Sequence, residues 1–302
     1  MRLIHFVLLI ATLFYGCTSS KREVSCDYIA DYYQSVYLAE KLYHLEDYDR
    51  AFKILNGLSK TCDLLDQTII YELRIATICA IKTGYYNEAL DFVRQMFEKG
   101  YELEAIENHS TLSALVSLES WPKVVADYPE HRRVYENNIH YDIRQQLEKI
   151  CQNDQLVRNN EDGIDWEKVE ATDTFNQNQM KEILNEIGYP NELKVGPYFK
   201  GDSHMGVNTL FMHFSDTAYF KPILLEEIRK GHAPPSVLGS MIDSRQRASG
   251  RIDRFLYGIY QNATTEDIFD YPNLDNRGMA IGLAPLSLER ELQSLRQLRR
   301  ID

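Results

Sequence analysis

The chain has 302 residues, 44% of them hydrophobic and 26% charged, which is ordinary for a globular protein and excludes a disordered polymer. That length accommodates two domains. A formal charge of -12 argues against nucleic acid as a partner, because phosphate binding needs a basic face.

Met1-Arg2 opens with one positive charge, and Leu3 to Tyr15 is an apolar run. The run is shorter than the roughly 20 residues that span a bilayer, and it fits the hydrophobic segment of a signal peptide. Gly16-Cys17 follows, and the chain turns polar at Thr18-Ser19-Ser20-Lys21-Arg22. This resembles a bacterial lipoprotein signal, with Phe14 where leucine is usual. The resemblance implies cleavage ahead of Cys17, acylation of Cys17 by chains such as palmitate, a leader over 1–17 and a tether over 18–26. It places the mature protein in the cell envelope, held on a membrane by lipid. Thr18, where an aspartate would signal otherwise, points to the outer membrane over the inner. The alternative is an ordinary cleaved signal peptide in which Cys17 is incidental.

Export permits disulfides among Cys26, Cys62, Cys79 and Cys151. If 27–45 and 47–61 are two antiparallel helices turning near Glu46, Cys26 and Cys62 are equidistant from the turn and can meet. Buried free thiols are the alternative there, and the better expectation for Cys79 and Cys151.

From 27 to 136 the apolar spacing is helical. Ile29, Tyr32, Tyr33, Val36, Tyr37, Ala39, Leu42 and Tyr43 share one face. Asp47-Tyr48-Asp49-Arg50-Ala51-Phe52 aligns with Tyr85-Tyr86-Asn87-Glu88-Ala89-Leu90 (47 against 85), and a weaker third copy surrounds Trp121. The pattern is similar to tetratricopeptide repeats, whose turn carries a Gly-x-Tyr before a small Ala. Gly84, Tyr86 and Ala89 match, Glu46 replaces the glycine of the first copy, and the spacing exceeds the family's period of about 34. The resemblance implies helical hairpins whose concave face binds a protein or peptide; with so few copies, that face packing on the next domain is the equal alternative. The tyrosines read as half-buried packing residues.

Beyond Pro129 and Asn137-Asn138, which punctuate a boundary, 137–302 reads as a second, mostly helical domain with little strand. We expect a helix over 141–158, and another capped by Thr172 or Asp173 and stopped at Gly188-Tyr189-Pro190. Pro285 and Ser287 open a last helix that Ser287 can cap, with Leu288, Leu292, Leu295 and Leu298 as its buried stripe and Arg296, Arg299 and Arg300 near its end. Lys194–Tyr198 and Tyr257–Tyr260 are strand-like. The fold class is therefore mainly α.

Asp154-Gln155-x-x-Arg158, Asn176, Gly188-Tyr189-Pro190, His213-x-x-Asp216, Asp243 with Arg245, Tyr257-Gly258, and Arg277 with Gly282-Leu283 occur in order over about 139–290. As an ordered set they look like an uncharacterised bacterial domain family of unknown function, found behind lipoprotein signals and helical repeats. Met212, Ser244 and Phe255 depart from that pattern, and the resemblance carries no reaction.

His213, flanked by Leu210, Phe211, Met212 and Phe214, is expected to be shielded from water with Asp216 one turn away on the same face. That pairing would fix the tautomer and strengthen a base. Two readings follow. In the first, Asp154, Gln155, Arg158, Asn176 and Arg277 form a polar network that fixes packing, and the protein is a binding or scaffold lipoprotein of the envelope. In the alternative it is a hydrolase with His213 as general base, supported by Asp216, Asp243 and an arginine clamp from Arg245 or Arg277. Arg245, Arg247, Arg251 and Arg254 otherwise read as a solvated face. No zinc spacing, nucleophile elbow, phosphate loop or dinucleotide glycine cluster occurs, so neither metal nor cofactor is expected.

Overall fold

The computed structural model describes residues 26–66, 71–159, 163–200, 203–248, 255–259 and 263–298. The segment expected to be a leader, Cys17, most of the expected tether, Arg251, Arg254, Arg299 and Arg300 lie outside the described residues. The fold is mainly α, and no described helix is long and apolar enough to cross a membrane.

Asp27 opens the first helix by accepting the amides of Ile29 and Ala30 at 3.1 and 3.3 Å. A π-helical turn (Tyr28–Tyr32) runs into α1 (Tyr33–His44), and Glu46 reverses the chain with φ of 63°. Asp47 caps α2 (Tyr48–Leu58) through the Arg50 amide at 3.3 Å. Cys26 and Cys62 are joined, with Cα atoms 5.3 Å apart, and close the open end of this hairpin. Cys79 and Cys151 are free and buried.

The second hairpin, α3 (Glu72–Thr83) and α4 (Tyr86–Glu98), repeats the first. Gly84, at the position of Glu46, is also left-handed, with φ of 83°. Ala51 and Ala89 occupy matching sites and are both fully buried, which lets each helix approach its neighbour closely. The third unit is degenerate: α5 (Leu103–Glu107) and a 3-10 turn (Leu112–Ser117) precede α6 (Trp121–Asn137). Contrary to the expected break, α6 runs through Pro129. Proline removes one amide donor, and packing of α6 against α4 holds the helix on both sides of it.

The second half contains α7 (Tyr141–Arg158), α8 (Trp166–Ile187) and α9 (Glu192–Val195), then an antiparallel pair of two-residue strands, β1 (Phe199–Lys200) and β2 (Ser203–His204). These are followed by α10 (Val207–His213), α11 (Thr217–Arg229), α12 (Pro235–Ala248), a 3-10 turn (Tyr271–Asn273), α13 (Leu274–Met279) and α14 (Leu286–Leu298). Helix α8 starts earlier than expected, because Asp165 caps it through the Lys168 amide at 3.2 Å; Thr172 and Asp173 fall mid-helix. Strand is scarcer than expected: Lys194 lies in α9, and the 255–259 loop makes one bridge, Phe255 to Ile268. Of the leucine stripe on α14, Leu292 is fully buried and Leu298 is exposed.

The hydrophobic core crosses the 136/137 boundary without a break. Helix α1 lies inside it. Tyr37 donates to the Gly282 carbonyl at 3.0 Å and Gln34 to that of Leu283 at 2.8 Å. Arg296 grips the buried Glu40 with both guanidinium arms at 2.7 and 2.8 Å, a bidentate pair rather than a helix-dipole contact. The hairpins thus pack on the C-terminal half.

Candidate functional site

The last turn of α7 presents Asp154, Gln155 and Arg158, α8 presents Asp173, and α10 ends on His213. Asp154 is 1% exposed and fully engaged. Its Oδ1 accepts Arg158 Nη1 at 2.7 Å and His213 Nδ1 at 2.9 Å, while Oδ2 accepts Gln155 Nε2 at 2.9 Å. The other arm of Arg158 donates to Asp173 Oδ1 at 2.6 Å. The four-residue spacing on α7 puts Asp154 and Arg158 on one face, so the arginine reaches its neighbour while spanning to α8. With Nδ1 set against the carboxylate, the His213 side chain is 21% exposed. The ring is therefore less shielded than its apolar flanks suggest.

Asp154, Asp173 and His213 offer ligand atoms within 4.8 Å of one another, a spacing a metal could use. Arg158 bridges both carboxylates, so the positive charge such a pair calls for is supplied by the protein itself. Asn176, one turn after Asp173, is fully buried, and neither atom of its amide has a partner among the described residues.

Several expected site residues lie elsewhere. Asp216 does not pair with His213: the chain leaves the helix at Phe214, with ψ of 134°, so the one-turn relation is lost. Asp216 instead caps α11 through the Tyr219 amide at 3.2 Å and pairs with Lys181 at 2.8 Å, whose hydrogen bond holds its carboxyl below the usual range. Asp243 is fully buried and accepts the amides of Leu256, Tyr257 and Ile259 at 2.8, 3.1 and 3.2 Å. Burial raises its carboxyl, and those amide bonds oppose the rise. Arg277 donates to the carbonyls of Leu256 at 3.2 Å and Asp270 at 3.1 Å, and to that of Phe269. Asp243 and Arg277 thus hold the Tyr257-Gly258 loop from opposite sides, the one by Leu256 N–H and the other by Leu256 C=O. Arg245 is exposed and makes no ion pair among the described residues.

The Gly188-Tyr189-Pro190 stop is held by Glu227, which accepts the Tyr189 amide at 3.0 Å and faces His232 Nδ1 at 3.1 Å. Burial alone would raise the Glu227 carboxyl. The bonds from His232 and Tyr189, with the charges of His232 and Lys194, outweigh it and hold the carboxyl at about 2.

That turn aims Tyr189 into a cavity of 500 Å3 where the hairpins meet the C-terminal half. Tyr28, Tyr71, Tyr101 and Tyr135 come from the first half; Tyr189 and Tyr198 come from the second. The volume lies within the range of about 300–1,000 Å3 typical of small-molecule sites. A second cavity of 200 Å3 lies between α14 and the Tyr257-Gly258 loop. Neither cavity is lined by Asp154, Arg158, Asp173 or His213. The sequence signal for the larger cavity is the tyrosine content, which packing alone also explains; only the fold brings tyrosines 28 and 198 to one wall. Asp173 escapes a sequence reading of the site because it serves equally well as a helix cap.

Set beside protein-family models, curated proteins and solved structures, the chain matches none of them.

Proposed function

We propose that the protein is a lipid-anchored binding protein of the bacterial envelope, and that the 500 Å3 cavity is its binding site. In this reading Cys17 carries the lipid, the outer membrane is the surface, the hairpins are of tetratricopeptide type, and 137–302 belongs to the bacterial domain family that the ordered motifs resemble. The cavity carries the proposal, since both halves build it and its aromatic walls suit a small ligand better than a flat partner surface. Protein isolated from its native envelope is expected to carry a small molecule visible by native mass spectrometry. Ala105→Trp, an exposed cavity position, is expected to lose it while folding normally. Ligand-free wild-type protein, or an unchanged load in the variant, overturns the proposal. Incorporation of labelled fatty acid into wild-type chain and not into Cys17→Ser tests the anchor separately.

One observation favours a second reading, hydrolysis with His213 as general base: the 2.9 Å contact of its Nδ1 with Asp154, which takes the role expected of Asp216. His213→Gln would then abolish a cellular phenotype while leaving the melting temperature within a few degrees. A variant that only unfolds rejects this reading.

A further inference from the structure

Four of the six tyrosines around the larger cavity point their hydroxyl protons into the protein. Tyr28 donates its hydroxyl proton to the Asp63 carbonyl at 3.1 Å, Tyr198 to that of Pro190 at 2.6 Å, and Tyr135 to that of Glu192 at 3.5 Å. Tyr189 donates to Asn208 Oδ1. A phenol whose proton points into the protein offers only lone pairs to a guest. Asn191 repeats the pattern: its Nδ2 donates to the His232 carbonyl at 3.1 Å, and its buried Oδ1 has no partner among the described residues.

The charges lean the same way. Among the described residues four carboxylates line the space (Asp63, Asp66, Glu102 and Glu192) against two lysines, Lys99 and Lys230, and His232, with Glu102 paired to Arg132 at 3.0 Å. Lys230 already faces Glu226 and Glu227, each at 3.5 Å. Asp66 Oδ1 accepts the amides of Leu73 at 2.8 Å and Arg74 at 3.4 Å. Burial nevertheless raises its carboxyl, with the Tyr101 hydroxyl, those two amides and the charge of Lys99 opposing the rise only in part.

We infer that the cavity takes a small organic cation, an ammonium group carried on a ring or alkyl body, with Asp66 and Asn191 Oδ1 as acceptors and the tyrosine rings against its apolar part. The inference rests on the binding reading above and narrows it. Ammonium matches the wall on three counts: it has three N–H donors and no acceptor, its charge balances the acidic excess, and cations are attracted to aromatic faces. A carboxylate or phosphate ligand would meet lone pairs and like charge.

Cyclohexylamine, cyclohexanol and cyclohexanecarboxylate share one body and differ in the head group, so calorimetric titration of the folded chain with each reads the head alone. Cyclohexylamine is expected to bind about tenfold or more tightly than the alcohol, with the acid weakest. Asp66→Asn keeps an amide-accepting oxygen at the start of α3 and is expected to erase most of that preference, leaving cyclohexanol unchanged. Ala105→Trp is expected to block all three. Equal or tighter binding of the alcohol or acid overturns the inference, as does amine binding that survives both substitutions or is absent. Where alcohol or acid binding that equals or exceeds that of the amine is removed by Ala105→Trp, only the ligand class is overturned, because the cavity still binds. The binding reading itself stands or falls on the molecule carried from the envelope.

Discussion

The hairpins α1–α2 and α3–α4 and the stretch from α8 to α13 both stop helices and turn the chain, and they do it by different chemistry. In the hairpins the turns are short, pass through one left-handed residue each, Glu46 and Gly84, and leave apolar periodicity to do the ordering. In the second stretch the connections lie against the core, and side-chain oxygens take up their amides. Asp243 holds Leu256, Tyr257 and Ile259, Glu227 holds Tyr189, and Gln177 Oε1 holds Ser215 and Asp216, each at 2.9 Å. Periodic packing spreads stability over many residues, so no single hydrogen bond carries a hairpin turn. Buried acceptors concentrate it, because an amide left without a partner in the interior costs about 1–3 kcal/mol.

The largest expected effect follows from that contrast. Asp243→Ala strands three amides at once and should destabilise the chain by about 4 kcal/mol or more, read by denaturant unfolding. A loss under about 1 kcal/mol would falsify the anchoring role, since one unmade buried hydrogen bond alone exceeds it. Next, replacing Cys26 and Cys62 together by serine opens a closure spanning 36 residues. Chain entropy puts its worth at about 3–4 kcal/mol, so the first hairpin is expected to unfold at lower denaturant than the rest. Coincident loss of the whole chain would mean that α1, tied to Gly282, Leu283 and Arg296, makes both regions one cooperative unit.

Glu227 gives a pH-resolved version of the comparison. Its carboxyl is lowered on folding, to about 2 from the ordinary 4.5, so the stability it lends is complete above 4.5 and disappears as pH falls toward 2. Glu227→Gln should cost about 1–2 kcal/mol at neutral pH and nothing near pH 2, flattening the acid limb of the stability curve. If the variant parallels wild type throughout, the carboxylate is not what holds the Gly188-Tyr189-Pro190 turn.

What is legible in the chain divides along the same line. The bounds of α7 follow from the sequence, and the pairing of Cys26 with Cys62 is one of two open readings there, because both depend on local spacing. That Asp154, Arg158 and His213 belong to one polar network is readable in part. The partner of His213 is not, because a break at Phe214 of less than a turn moves Asp216 to the next helix and leaves Asp154, 59 residues away in sequence, to take its place. Asp243 and Arg277 stand out in the sequence as polar residues out of place in a core, and in the structure they secure a loop. A buried carboxylate that grips a loop and one that handles a proton have the same sequence signature. The tyrosine cavity is the least readable feature, since it exists only where two distant segments meet.

The smallest effect separates the two hairpins from each other. Glu46 and Gly84 hold the same turn, with φ of 63° and 83°, yet only glycine, which has no Cβ to crowd the following carbonyl oxygen, adopts that region freely. Glu46→Gly should therefore gain about 0.5–1 kcal/mol, the relief of strain being partly offset by a freer unfolded chain. Gly84→Ala is the reciprocal measurement. A Cβ there meets nothing within 4 Å, so its expected cost of about 1 kcal/mol is conformational alone. Opposite signs of similar size would identify the two turns as one repeated device with a glutamate where the second copy has glycine. A loss on Glu46→Gly would instead mean that the glutamate side chain contributes more to the turn than its backbone strain removes.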